Sequence, residues 1–241
     1  ITLAGTSGDT PTLVTSDFIN DSGGTVALSG AGAGSSNAIF QATDLQNNGL
    51  LLIETGTSTG GIRRIVADLS NNATGTIALD DENLEIQDDD GISNNGAINL
   101  FTIDSGTTRT AGGNLTITIA STNSVALLMD SGSIDLNGNE LDLEGNDLSW
   151  AAGSISGSGL ITGDAIFRDG VKVFDGPTWE ISNLILGAST TANTLSLNSG
   201  DLTVDNGLVS IGSGAILTAN DSALNEINGT STLLLDGTLN L

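Results

Sequence analysis

Cysteine and histidine are both missing from this 241-residue chain. Without cysteine, no disulfide braces the fold and no thiolate serves as a nucleophile or soft-metal ligand. Without histidine, the commonest general base and the commonest metal ligand are gone. Cations are scarce: Arg63, Arg64, Arg109, Arg168 and Lys172 stand against 29 acidic residues, for a formal net charge of −24. Such a chain repels phosphate backbones and anionic membrane surfaces, so nucleic acid is not an expected partner. Tyrosine is absent and aromatic residues amount to 3%, too few to build the aromatic girdles of a membrane barrel. No apolar run approaches the roughly 18 residues of a membrane helix, so no membrane insertion is expected. No charged-then-apolar leader precedes Ile1, which reads as the start of a processed or excised segment.

What the chain does have is a narrow palette. Hydrophobic residues make up 38%, enough for a core, and Leu, Ile and Val supply nearly all of the bulk. Globular cores of this size use large aromatic anchors, whereas a thin core that repeats along an axis does not need them. Glycine, at 33 residues, is joined by abundant Asn, Asp, Ser and Thr, the residues that form tight turns. Strand formers between so many turn formers predict many short strands. The regularity of the apolar positions argues against disorder, which the low aromatic content and high charge would otherwise favour.

That regularity is a beat of seven. Ile134, Leu141, Leu148 and Ile155 lie seven apart, each opening a pair of alternating apolar positions after a turn such as Ser131-Gly132-Ser133 or Asn137-Gly138-Asn139. The beat returns at Leu195, Leu202, Val209 and Ile216. Alternation over such short runs is the period of a strand. Seven residues hold one strand and one turn but cannot bury an apolar face alone. Three such units make a coil of about 21 residues, one triangular turn of a solenoid. The sequence therefore predicts an all-β, right-handed parallel β-helix over residues 1–241, a single domain, more irregular in 1–130 and most regular in 131–241. Ile134, Leu141, Leu148, Ile155, Leu195, Leu202 and Ile216 are expected to point inward, and corner asparagines to stack into amide ladders. A β-sandwich is the alternative; its usual spacing of about 8–12 residues and its aromatic anchors fit less well.

The segments 206–218 (NGLVSIGSGAILT) and 234–241 (LLDGTLNL) resemble rungs of bacterial β-helical surface proteins, the filamentous-haemagglutinin-like and autotransporter-passenger-like adhesins. The resemblance is compositional and covers about half of the chain. It implies an extracellular or cell-surface location and an elongated structural or adhesive role. The Asn-Pro-Asn type secretion signature of that family is absent, since neither Pro11 nor Pro177 follows Asn.

Few residues suggest chemistry. Asp80, Asp81, Asp88, Asp89 and Asp90 form an acidic stretch that reads as a solvated loop or as a calcium site, since hard cations collect carboxylate and carbonyl oxygens at a bend. Their spacing is not that of an EF-hand. No other cofactor is expected. With 29 acidic residues, carboxylate pairs arise without meaning, so the polysaccharide-cleaving chemistry of some β-helices finds no specific support and a non-enzymatic protein is expected. Trp150 and Trp179 either line a small groove near Arg168 and Lys172 or plug the core. Thr116-Ile117-Thr118 is a lone instance of the threonine pattern that a flat ice-binding face repeats. Both chain ends are strand-like: Ile1 and Leu3 at one, Leu239 and Leu241 at the other. A repeat rod without polar caps exposes apolar side chains and unpaired backbone. These four residues are thus candidates for an interface between copies stacked head to tail. A glycan or cell-surface ligand is the other expected partner.

Overall fold

The computed structural model describes residues 1–5, 8–30, 36–54, 61–80, 82–88, 92–100, 103–104, 108–109, 114–119, 125–187, 193–205, 207–219, 226–228 and 232–240. Among them there is no helix. Parallel strands stack in turns of roughly 23 residues to form a β-solenoid. The expected 21-residue turn occurs where Ile134 pairs with Ile155; loops between strands lengthen most other turns. The antiparallel pairing that a sandwich requires occurs, among the described residues, only between Ile103–Asp104 and Thr108–Arg109.

Each turn contributes to three faces, here called A, B and C. Face A begins with Thr2–Gly5, Thr25–Gly30, Leu50–Glu54 and Thr76–Asp80 and ends with Ala215–Ala219 and Thr238–Asn240. Its inward column runs Val26, Leu51, Ile77, Ile98, Ile134, Ile155, Phe174, Leu197 and Ala219, each in register with the next. On face B the column runs Ala38, Arg63, Leu84, Leu115, Leu141, Ile161, Trp179 and Leu202. Face C stacks Phe18, Leu45 and Leu69, then Ile92, Leu127, Leu148 and Ala165. The beat of seven is therefore one step around the triangle: Ile134 on A, Leu141 on B, Leu148 on C, and Ile155 on A again. Among the described residues, a strand of three to five residues buries at most three side chains. Stacking turns joins these into one continuous core.

One feature departs from the sequence reading. Ile216 is not inward; it is 37% exposed, while Ala215 and Leu217 beside it are fully buried. The turn at residues 212–214 sets this register, and a shift of one residue exchanges the two faces of a strand. Of the two readings of Trp150 and Trp179, the structure bears out the one in which they plug the core. Both are fully buried, and they pack with Phe167 and Phe174 at centroid separations of 6.2–6.4 Å. Here large rings fill the interior that aliphatic residues fill elsewhere.

Face C is interrupted once. Leu184–Leu186, Leu208–Ile211 and Thr232–Leu235 form a separate parallel ladder that does not continue the main sheet. At the break, Asp164 Oδ1 accepts hydrogen bonds from the backbone N–H of Ala165 (2.9 Å) and of Ser182 (3.1 Å). One carboxylate oxygen thus satisfies donors that a paired strand would otherwise serve.

Candidate functional site

The polar groups that the fold assembles lie at its corners. Between faces C and A, Asn20, Asn47, Asn71 and Asn94 are all buried and occupy successive turns at one register position. The Nδ2 of each donates to the Oδ1 of the next, at 2.8, 2.8 and 2.7 Å. The second Nδ2 hydrogen of the first three reaches a backbone carbonyl, of Leu50, Thr76 and Ala97 respectively. The ladder needs room beside it. A Cβ on Gly75 would lie 2.3 Å from the Asn47 carbonyl oxygen and 2.4 Å from Asn71 Oδ1, so this corner admits only glycine. Beyond Asn94 the same position is taken by Met129, Trp150 and Phe167, and the ladder ends. Stacked amides were expected; which asparagines stack is decided by the uneven turn lengths.

Two cations occupy inward positions, which the sequence reading did not anticipate. Arg63 is fully buried in the face B column. Its Nε donates to the Glu54 carbonyl at 3.1 Å, one terminal nitrogen donates to the Ser36 carbonyl at 2.5 Å, and the other lies 3.3 Å from Glu82. Burial pushes the guanidinium below its usual value, and Glu82 opposes that shift. Lys172 is also fully buried. Its Nζ donates to the carbonyls of Ala151 (3.2 Å), Arg168 (2.5 Å) and Gly170 (3.0 Å) and to Asn193 Oδ1 (3.1 Å). Burial pushes this ammonium down to about 8, with Asp169 pulling it up and Arg168 pushing it down. Both cations satisfy carbonyls where the chain turns between faces. They are structural ligands of the backbone.

A surface recess of about 360 Å³ opens beside the break in face C. Asp147, Asp164 and Asn183 form its polar lining, and Ile166, Phe167 and Ile185 its apolar lining. Asp147 and Asp164 are in register on adjacent strands. The recess therefore holds two carboxylates, an amide and two exposed aliphatic side chains.

The acidic stretch singled out from the sequence is only partly described. Asp80 closes the strand Thr76–Asp80 and Asp88 closes Leu84–Asp88, while Asp81, Asp89 and Asp90 lie outside the described residues. Among the described residues, no group of three His, Cys, Asp or Glu side chains is placed to hold a metal ion. At the ends, Ile1 is exposed, and Leu3 and Leu239 are half-buried against the core; Leu241 lies outside the described residues. Comparison with protein-family models, with curated proteins and with solved structures finds no match.

Proposed function

We propose that the chain is an extracellular structural protein, a building block of a surface fibre, filament or matrix, with no catalytic activity of its own. One observation supports this reading: the described chain is a stack of parallel turns around one continuous core, a form in which each turn takes another against it. The first turn presents Thr2–Gly5, Thr12–Val14 and Asp17–Asn20, each paired on one side only, with Leu3, Leu13 and Phe18 half-buried. The last presents Glu226–Asn228, Thr232–Leu235 and Thr238–Asn240, again paired on one side only. Each of these turns presents one strand per face, so a turn of a second copy set against it would continue all three ladders at once. Such a contact is heterologous and extends rather than closes. Negative-stain microscopy of the purified protein across ionic strength tests this reading. Filaments one solenoid wide, favoured as salt screens the charge of −24, are expected. Isolated short rods at every salt and protein concentration would overturn it.

The recess on face C supports a second reading, an adhesin that takes a glycan or a cell-surface group. Carboxylates and an amide beside aliphatic side chains suit the hydroxyls and the apolar face of a sugar. A glycan array probed with the protein as a monomer separates the two readings. Binding that Asp164→Asn and Asn183→Ala abolish supports the adhesin, and sugar release from the same panel would overturn the non-enzymatic assignment.

A further inference from the structure

The chain has a single lysine, and it is buried. Lys172 points into the core from face A, and its Nζ lies 3.1 Å from Oδ1 of Asn193, a side chain that is itself buried. Gly170 pairs in register with Asn193, so the amine and the carboxamide belong to successive turns. The carboxamide is held from its other side, where Nδ2 donates to the Gly187 carbonyl at 3.1 Å. Oδ1 is one C=O bond, ~1.2 Å, from Cγ, so Nζ and Cγ are at most about 4.3 Å apart. The other three oxygens around Nζ are backbone carbonyls, and two of them directly follow the buried rings of Trp150 and Phe167 in the chain. In these apolar surroundings burial brings the amine down to about 8, so a neutral, nucleophilic fraction is present near neutral pH. Arg63, the other inward cation, carries a guanidinium, which keeps its proton and does not attack.

We propose that Lys172 and Asn193 close an isopeptide bond, from Nζ to Cγ, that staples two successive turns of the solenoid. The neutral amine adds to Cγ, the Cγ–Nδ2 bond breaks, and one proton of Nζ ends on the departing nitrogen, which leaves as ammonia. No oxidant, reductant or other co-reactant enters. The neutral amine keeps two hydrogens for the backbone carbonyls and leaves its lone pair for Cγ. Attack on one of those backbone carbonyls would expel an amine that the chain holds in place and that recloses the peptide bond. Ammonia diffuses away, so only the step at Asn193 is irreversible. Aminolysis of a carboxamide between separate molecules in water is very slow. Two groups held in contact on hydrogen-bonded strands gain an effective concentration of about 10⁵–10⁸ M, and a turn of the carboxamide brings Cγ towards a near-attack distance of ~3–3.5 Å. The product joins residues 21 apart in a chain without cysteine, and so constrains the unfolded state as a disulfide would. The bond is internal to one chain and is independent of how rods assemble.

Intact mass and digestion with a lysine-specific endoprotease provide the test. Folded protein is incubated between about pH 6 and about pH 9, then denatured and digested. With one lysine in the chain, a free amine gives two fragments, 1–172 and 173–241. The isopeptide blocks that cut and leaves one chain, lighter by one ammonia. Its formation is expected to quicken about tenfold per pH unit until the amine is neutral at about 8, and to level off above. Protein folded and kept at about pH 6 retains the free ammonium, the form whose titration the folded pKa describes. Ammonia lost instead as a succinimide at an Asn-Gly pair leaves Lys172 cleavable, so the two readouts together separate the products. Asn193→Ala and Lys172→Arg are each expected to keep the full mass. Should either fail to fold by circular dichroism, digestion of the unaltered protein decides alone. A folded chain that is still cut at Lys172 after prolonged incubation at about pH 9, whether at full mass or lighter by one ammonia, would overturn the proposal.

Discussion

At the scale of the residue, the two cations inside the thin aliphatic core sit where backbone carbonyls gather around them. Lys172 shows this most directly, since four oxygens surround its ammonium. Its folded pKa of about 8 lies below the ordinary 10.5. Between those values the unfolded chain holds a proton that the folded chain has released, so stability rises with pH across that window. Below it the ammonium is charged in both states and the cost of burying it applies in full. The chain has no tyrosine, no cysteine and no other lysine, so Lys172 is the one side chain of these types that can contribute to the rise. Thermal melts from pH 7.5 to 10.5 are expected to show it, and Lys172→Met is expected to remove it. Equal slopes in the two proteins would refute the assignment. The asparagine ladder makes a second case. Asn47→Ala strands the Nδ2 of Asn20 and the carboxamide of Asn71, at a cost of about 2–4 kcal/mol for two broken buried bonds. Asn47→Asp is expected to cost more, since it buries an acceptor-only carboxylate that cannot donate to Asn71 Oδ1. Urea titration with both variants checks the order. Little of this was legible in the sequence. Nothing in the sequence marks Arg63 and Lys172 as inward, because a charged residue in a short strand ordinarily faces water. The ladder's composition was readable, but its members are separated by 27, 24 and 23 residues, and no fixed period selects them.

At the scale of the element, a parallel stack places like residues about 4.8 Å apart, which for carboxylates is unfavourable. Face B avoids this by alternation. Outward along it come Thr116, Asp142, Thr162, Glu180 and Thr203, with the register of Ile161 on Trp179 setting Thr162 beside Glu180. The spacing between carboxylates doubles to about 9.6 Å, close to the Debye length at physiological salt. Thr162 Oγ1 also donates to Asp142 Oδ1 at 2.7 Å. Thr162→Asp would place three carboxylates in succession. At about 0.9 kcal/mol per neighbouring pair in water, the loss is about 1–2 kcal/mol at low salt. Most of that loss is expected to be recovered in about 0.5 M salt, whereas Thr162→Val, which loses only the hydroxyl bond, should be insensitive to salt. Chemical denaturation at two ionic strengths distinguishes them; an equal deficit for Thr162→Asp at both would count against the alternation argument. The elements themselves were the most legible part of the sequence. Where turns are 21 residues long, Ile134, Leu141, Leu148 and Ile155 announce the three faces directly. Ile216 misled because Leu217 beside it is equally apolar, so the pattern alone cannot choose the register. The alternation on face B was invisible because it runs between turns of unequal length.

At the scale of the whole molecule, the first and last described turns match strand for strand but not residue for residue. In a head-to-tail stack, Thr2–Gly5 of one copy would lie on Thr238–Asn240 of the other, Thr12–Val14 on Glu226–Asn228, and Asp17–Asn20 on Thr232–Leu235. Asn20, the first rung of the ladder among the described residues, donates to Asn47, so its Oδ1 is turned away from the rest of the ladder. The residue at the matching corner of the other end is Leu235, 49% exposed, followed by Asp236 and Gly237 as the ladder corners are followed by a turn and glycine. Stacking would therefore set an amide oxygen against an aliphatic side chain. An acceptor left without a donor on burial costs about 1–3 kcal/mol. Leu235→Asn supplies the missing donor in the direction the ladder already runs, from Nδ2 to the Oδ1 of the next turn. It gives up part of the burial of one leucine, worth up to about 1.5 kcal/mol when half of the side chain is already exposed. The balance favours the amide by about 1 kcal/mol, a several-fold gain in affinity per junction. Longer filaments at a given concentration are expected for Leu235→Asn, measured by light scattering and microscopy, while Leu239→Asp is expected to prevent stacking by placing a charge on the core at the junction. The ladder at the junction is the point at issue: if Leu235→Asn leaves filament length unchanged while Leu239→Asp shortens it, the ends meet through their apolar core alone, and the asparagine column stops at Asn20.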